Sequence, residues 1–231
     1  MENHAPDMLD ERATARALTA EFLGTAVLVC AVVGSGIMGT LLTNDLALTL
    51  LINTVSTIAA LGVAIWIFQP ISGAHFNPAV TMIALLRKEM KWGSAVSYVV
   101  AQILGAIAGV VIANIMFELP LVEFSTNDRS GYGIFLSEIL ATAGLIFIIV
   151  MAVLRERSES LIILVPAWIG AAYFFSSSTS FANPAVTIGR TLTDTFTGIS
   201  PANALPFIGM QFIGALIGAL LAMKLSPRKV K

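Results

Sequence analysis

Cysteine, histidine and charged side chains are all scarce in this sequence, and each shortage excludes a class of protein. The single cysteine, Cys30, excludes a disulfide framework and a cysteine-based metal cage. The two histidines, His4 and His75, are too few for a histidine-rich metal site or a haem. We therefore expect no metal site.

The low charge also excludes a soluble domain. Only 12% of the residues are charged, whereas an average soluble domain carries about 25%. The 13 basic and 14 acidic residues give a formal net charge of −1, which argues against a nucleic-acid partner because such a partner calls for a basic face. With 57% hydrophobic residues and a mean hydropathy of +0.87, the composition predicts a protein of the lipid bilayer.

The apolar runs predict the architecture. A helix needs about 20 mostly apolar residues to cross a bilayer. Six segments qualify: Ala17–Met38, Leu46–Phe68, Ala95–Phe117, Tyr132–Leu154, Leu161–Phe175 and Ala202–Leu225. The fifth is short, and its charge-free extension through Ser176–Ser180 makes up the length. Two shorter runs, Phe76–Leu86 and Phe181–Leu192, have about the length of re-entrant helices. The predicted fold is an all-α membrane protein with six transmembrane helices and two re-entrant half-helices.

The basic residues predict the orientation. Placing both termini in the cytoplasm leaves only Arg129 and Arg190 of the 13 basic residues outside, as the positive-inside rule requires. The first fifteen residues are polar and carry acids, so we expect no cleavable signal peptide. The predicted organisation is a cytoplasmic tail at 1–16, one channel domain at 17–225 and a cytoplasmic tail at 226–231.

An internal repeat divides that domain at about residues 17–117 and 132–225. Three pairs of segments echo one another: Ala20–Thr25 and Ser137–Thr142, Phe76–Thr81 and Ala182–Thr187, and Ala101–Ala106 and Met210–Ala215. Each half has three spans, an odd number, so the halves lie in opposite orientation. Inverted repeats of this kind place discontinuous helices near the middle of the membrane.

The tripeptide Asn-Pro-Ala occurs once in each half, before each half-helix: Asn77, Pro78 and Ala79, then Asn183, Pro184 and Ala185. Asparagine is a good helix N-cap and proline suits the first helical position. One copy could be an ordinary helix start in a loop, but two copies at matching places predict N-termini that meet in mid-membrane. The side-chain amides of Asn77 and Asn183 would orient a permeant by hydrogen bonding, and the facing positive dipole ends would repel cations and protons.

The segments Gly73–Thr81 and Asn183–Ala185, with Glu21 and Glu138 in the first and fourth spans, resemble the aquaporin or major intrinsic protein family. The resemblance covers nearly the whole chain. It implies a homotetramer with one pore per subunit, passive conduction and no cofactor. It also implies a second constriction, nearer the outside, built from four residues that normally include an arginine.

Counting from the two motifs as the family does places this filter at Thr57, Ala171, Ser180 and Val186, with valine in the place of the usual arginine. Four small side chains imply a wide, weakly polar opening, and loss of the arginine removes five donors and a positive charge. The pattern resembles an aquaglyceroporin-like bacterial branch linked to arsenic handling. It implies passage of small uncharged solutes, namely glycerol-like polyols, arsenite and methylated arsenicals, with water as a co-permeant.

Several alternatives stay open at this point. Arg190 supplies charge to the outer mouth, or it is a loop arginine near the surface paired with Asp194, which is the interpretation we favour. Glu21 and Glu138 act as a proton relay in a transporter, or, as we favour, they accept N–H groups from the backbone before each half-helix. His75 lines the pore through a ring N–H or braces its loop.

Other functions remain as rivals to a solute channel in a bacterial plasma membrane. They are a water-selective channel, a proton-coupled transporter and an anion-conducting channel. An enzyme is not expected, because the spans contain no credible catalytic set.

Overall fold

A computed structural model describes residues 14–226, so the two predicted tails fall almost entirely outside the described residues, as does His4. This part of the chain forms eight α-helices and no strand. The helices are α1 Ala15–Leu42, α2 Leu46–Ser72, α3 Pro78–Leu86, α4 Trp92–Met116, α5 Tyr132–Leu154, α6 Leu161–Phe175, α7 Pro184–Arg190 and α8 Pro201–Leu225. A short 3-10 turn, Ser158–Ser160, precedes α6.

Six helices are long and apolar enough to cross a membrane, which confirms the predicted multi-pass fold. α3 has nine residues and α7 has seven, so neither reaches the length of a span. α1 begins two residues earlier than predicted because the side chain of Thr14 caps it by accepting a hydrogen bond from the backbone N–H of Ala17, and it ends at Leu42 instead of Met38. α2 continues past its predicted end, through Pro70, and stops at Gly73, whose φ of 84° suits glycine.

The two halves pack with matching contacts. α1 packs on α4 in the first half, and α5 packs on α8 in the second. Gly105 of α4 lies against the carbonyl oxygen of Phe22, and Gly214 of α8 lies against that of Ile139, so an added Cβ would overlap backbone in both places. These paired glycines let the long helices approach closely.

Each short helix also joins the halves. α3 packs on α4 of its own half and on α8 of the other, and α7 packs on α8, α4 and α1. Since α3 and α7 touch each other, their N-termini meet inside the bundle. We call the side where α1 begins and α8 ends the terminal side, and the opposite side, where the long segment 117–131 runs, the loop side.

Candidate functional site: the cavity at the half-helix junction

Both half-helices begin at a capping asparagine followed by proline. The side-chain oxygen of Asn77 accepts a hydrogen bond from the N–H of Ala79 at 2.9 Å. The oxygen of Asn183 accepts from Ala185 at 3.0 Å and from Val186 at 3.3 Å. These bonds satisfy N–H groups that would otherwise be orphaned at the buried helix ends.

The two asparagines also reach across the junction. Nδ2 of Asn77 donates to the carbonyl oxygen of Ala182 at 2.8 Å, and Nδ2 of Asn183 donates to that of Phe76 at 2.8 Å. An amide nitrogen carries two hydrogens, so each keeps one more to offer. Both asparagines line the central cavity, where a solute could accept that second hydrogen bond.

Glu21 is fully buried and ties down the backbone that leads into α3. One carboxylate oxygen accepts from the hydroxyl of Ser72 at 2.7 Å and the N–H of His75 at 2.9 Å. The other accepts from the N–H of Phe76 at 2.7 Å and the amide of Gln102 at 2.8 Å. A carboxylate with four donors is well suited to hold irregular backbone in a membrane.

Glu138 occupies the equivalent place in the second half and is also fully buried. Its carboxylate accepts from the N–H groups of Phe181 and Ala182, each at 3.0 Å, and from the amide of Gln211 at 2.6 Å. The two acids therefore have the same surroundings, which is what a structural pair in an inverted repeat requires.

Two glutamines link these carboxylates to the half-helices. Gln102 donates to the hydroxyl of Thr81 at 2.9 Å, and Gln211 donates to that of Thr187 at 2.9 Å. The sequence alone assigned neither glutamine a role. The signal was present, because the glutamine recurs at one position of the third span in both halves.

The lead-in segments have the same unusual backbone twice. Ala74 and Phe76 have φ of 52° and 50°, and their counterparts Ser180 and Ala182 have 51° and 47°. Non-glycine residues rarely adopt this left-handed region, which costs about 1–3 kcal/mol each. The hydrogen bonds to the two carboxylates compensate for this strain and fix the lead-ins.

One elongated cavity of about 360 Å³ runs past this junction. At its terminal-side end it reaches Arg87 and Glu89, which form an ion pair at 2.6 Å. At its loop-side end it reaches Arg190. Its wall includes stripes spaced by four residues on two spans, Thr57, Leu61, Ile65 and Gln69 on α2 and Leu161, Val165, Ile169 and Tyr173 on α6.

Three of the four predicted filter residues line this cavity, namely Thr57, Ser180 and Val186. The prediction for Ala171 is wrong, because the structure exposes it on the outer face of α6. Tyr173 lines the cavity instead and lies 3.4 Å from the Thr57 hydroxyl oxygen. Two residues rotate a helix by about 200°, so Ala171 and Tyr173 face nearly opposite ways.

His75 both lines the cavity and is braced against its loop, so the two roles considered from the sequence are combined in one residue. It lines the cavity, and its Nδ1 lies 3.1 Å from the hydroxyl of Thr81. Its ring packs edge-on against Tyr98, with centroids 5.4 Å apart. The imidazole is thus braced while it faces the cavity.

The favoured interpretation of Arg190 as a surface loop residue is wrong. Arg190 is the last residue of α7, is only 3% exposed and donates from Nε to the carbonyl oxygen of Thr197. Asp194 lies elsewhere in the loop and accepts from the backbone N–H of Thr126 at 2.8 Å. The short helix α7 and the folded loop after it therefore bury the guanidinium.

Two arginine side chains pack against the aromatic ring of Phe181 at the loop-side end of the cavity. The guanidinium carbon of Arg190 lies 3.3 Å from the ring centroid of Phe181, and that of Arg129 lies 5.2 Å from it. Arg129 also donates to the carbonyl of Gly198 at 2.8 Å. Burial lowers the pKa of Arg129, while the carboxyl of Glu138 acts in the opposite direction. This cluster of Phe181, Arg129 and Arg190 could not be predicted from the sequence, because no local pattern connects the three residues.

The chain matches the family model described as Major intrinsic protein over residues 8–181. It is 45% identical to the aquaglyceroporin AqpS of Rhizobium meliloti (strain 1021), over 93% of this chain and 92% of that protein. It is 30% identical to a probable aquaporin, TIP1-2, of Oryza sativa subsp. japonica, over 94% of this chain and 89% of that one.

A solved structure has the same fold. The X-ray structure of the aquaglyceroporin from Plasmodium falciparum superposes with a TM-score of 0.65 and covers 90% of this chain and 93% of its own. Sequence identity is 20%, so this comparison concerns the fold alone.

Proposed function

Since the chain belongs to the major intrinsic protein family, it is a membrane channel for small solutes and not an enzyme, and we propose that it conducts uncharged, polyol-like molecules passively. Glycerol-like polyols and arsenite, an uncharged triol at neutral pH, are the proposed solutes, together with methylated arsenicals. Water is the proposed co-permeant.

The pair of crossed amides at Asn77 and Asn183 carries this proposal. Each offers a free N–H hydrogen to a cavity whose other walls are largely aliphatic. A polyol has hydroxyls for the donors and a carbon backbone for the apolar wall, so it can shed water in this cavity at low cost. An ion finds no comparable replacement for its hydration shell there.

The proposed filter lies between this junction and the loop side. Thr57, Ser180 and Val186 contribute small side chains to the wall. Ser180 lines the cavity, and its hydroxyl is buried without a hydrogen-bond partner among the described residues.

We propose a plasma-membrane location with the terminal side in the cytoplasm. The described basic residues of that side support this orientation under the positive-inside rule: Arg16, Arg87, Lys88, Lys91, Arg155, Arg157 and Lys224. We also infer a homotetramer with one pore per subunit, on the family resemblance.

A water-selective channel is the second candidate. One observation favours it, because Tyr173, Phe181 and Arg190 bring bulky side chains to the loop-side end of the cavity. Such side chains would narrow the opening that four small residues were expected to leave.

Stopped-flow light scattering on proteoliposomes distinguishes these candidates. Glycerol, urea and arsenious acid are compared with water, with empty vesicles and with vesicles carrying Cys30→Ala, whose partly exposed side chain lies outside the central cavity. Rapid entry of glycerol and arsenious acid supports the proposal. Water flux with all three solutes excluded supports the second candidate, and solute entry that follows an imposed pH gradient, or chloride conductance, contradicts both.

A further inference from the structure

We propose that Arg190 is the cation-excluding arginine of this channel and that it acts from the helical turn after Val186. The inference rests on the proposed function, because it assigns a selectivity role within the same pore. It concerns the position where the family resemblance predicts an arginine and this chain has valine.

The geometry of α7 brings the two residues to one wall. Positions four apart lie on the same face of a helix, and a helical side chain leans back over the preceding turn toward the N-terminus. The side chain of Arg190 therefore leans toward Val186, and both line the central cavity. The contact with Phe181, two residues before Asn183, shows how far back the guanidinium reaches.

Two contacts hold the guanidinium in place. Its Nε donates to the carbonyl oxygen of Thr197, a residue that is fully buried. Its central carbon, Cζ, lies 3.3 Å from the ring centroid of Phe181. A planar, always charged group that stacks on a ring is well fixed in orientation. The remaining guanidinium nitrogens stay available to a hydroxyl oxygen in the cavity.

The positive charge is not cancelled by a neighbouring ion pair. Among residues 14–226 the sole ion pair within 4.0 Å joins Arg87 and Glu89, at the other end of the cavity. Asp194, which could have paired with Arg190, is occupied by the N–H and hydroxyl of Thr126. Arg129 adds a second positive charge beside the same ring.

The valine makes this arrangement possible. An arginine at 186 and another at 190 would place two like charges one turn apart on a buried wall, which is unfavourable. A small residue at 186 leaves space for the Arg190 side chain to lean inward. The channel would thus keep its cation barrier while the section beside Thr57 and Ser180 stays wide.

The test uses the full chain in proteoliposomes, with proton and sodium leak measured beside glycerol and water entry. Arg190→Gln should raise cation leak at least about tenfold, because removing a unit charge within about 12 Å of the path has at least this effect on a passing cation at an effective dielectric constant of about 20. Glycerol entry should persist. Arg190→Lys should stay near wild type in cation leak, and Arg155→Gln, an exposed arginine outside the cavity, is the matched control.

A relocation variant covers the case in which Arg190→Gln alone folds poorly. Val186→Arg combined with Arg190→Gln should restore cation exclusion and slow glycerol more than water. Glycerol entry with cation leak equal in Arg190→Gln and Arg155→Gln would overturn this inference alone. Absence of glycerol and arsenious acid entry in the wild type would overturn the proposed function as well.

Discussion

The amide nitrogen of Asn77 lies 2.8 Å from the carbonyl oxygen of Ala182, the residue that immediately precedes the second motif. The reverse bond, from Asn183 to Phe76, has the same length. Each half-helix is therefore capped by its own asparagine and fastened by the other one. The junction is a single unit, so damage to one half should affect both.

Asn183→Ala should destabilise the protein and reduce solute entry together. The change removes the cap of α7 and the bond to Phe76, at a cost of about 1–3 kcal/mol. Thermal unfolding in detergent and stopped-flow glycerol entry measure the two effects. Asn44→Ala, at an exposed position before α2, is the matched control and should change neither.

Glu21→Gln should lower stability, because an amide NH2 would replace one carboxylate oxygen and face the two donors that this oxygen now accepts from. The expected cost is about 1–3 kcal/mol or more, and Glu138→Gln should behave alike. Thermal unfolding measures the stability of both variants. Glycerol entry through the wild type, with and without a pH gradient, tests the proton-relay alternative. Stable variants in which only gradient-dependent transport is lost would favour the proton-relay alternative.

Tyr173→Ala should widen the cavity and speed the entry of polyols larger than glycerol more than that of water, because the ring lines the wall beside Thr57. Ala171→Phe should leave this ratio unchanged, since Ala171 faces outward. Entry rates for a series of polyols provide the measurement. A strong effect of Ala171→Phe with none of Tyr173→Ala would restore Ala171 as the filter residue.

Gly214→Ala should destabilise the helix pair α5 and α8 by about 1–3 kcal/mol, because the new methyl would overlap the carbonyl oxygen of Ile139. Gly209→Ala lies on the same helix with open space around it. It should be neutral or stabilising by about 0.5–1 kcal/mol, because alanine loses less backbone entropy on folding. Thermal unfolding of the two variants in the same detergent measures the difference in their stabilities.

The spans and the half-helices could be predicted because the signals for them are local. Long apolar runs predict spanning helices from the cost of exposing backbone to lipid, and Asn-Pro predicts a helix start from capping geometry. Both signals lie within the segment they describe. The helix ends moved by a few residues where a cap such as Thr14 or Gly73 decided the boundary.

The loop-side end of the cavity could not be predicted in the same way. Counting back from Asn183 gave Ala171, but the face that a residue presents depends on the conformation of the chain between α6 and α7. An offset of two residues is enough to move a side chain from the cavity wall to the outside. Arg190 was misplaced for a related reason, since its burial depends on how segment 191–200 folds back over it.

The sequence by itself determined the membrane class, the six spans, the inverted repeat and the family, because hydropathy, capping and repetition are read within short stretches of chain. Tertiary structure alone decided which side chains meet at the mouth of the cavity. Phe181, Arg190 and Arg129 come from separate segments, and their approach depends on how the half-helix and two loops pack. Such contacts cost chain entropy to assemble and leave no periodic trace in the sequence.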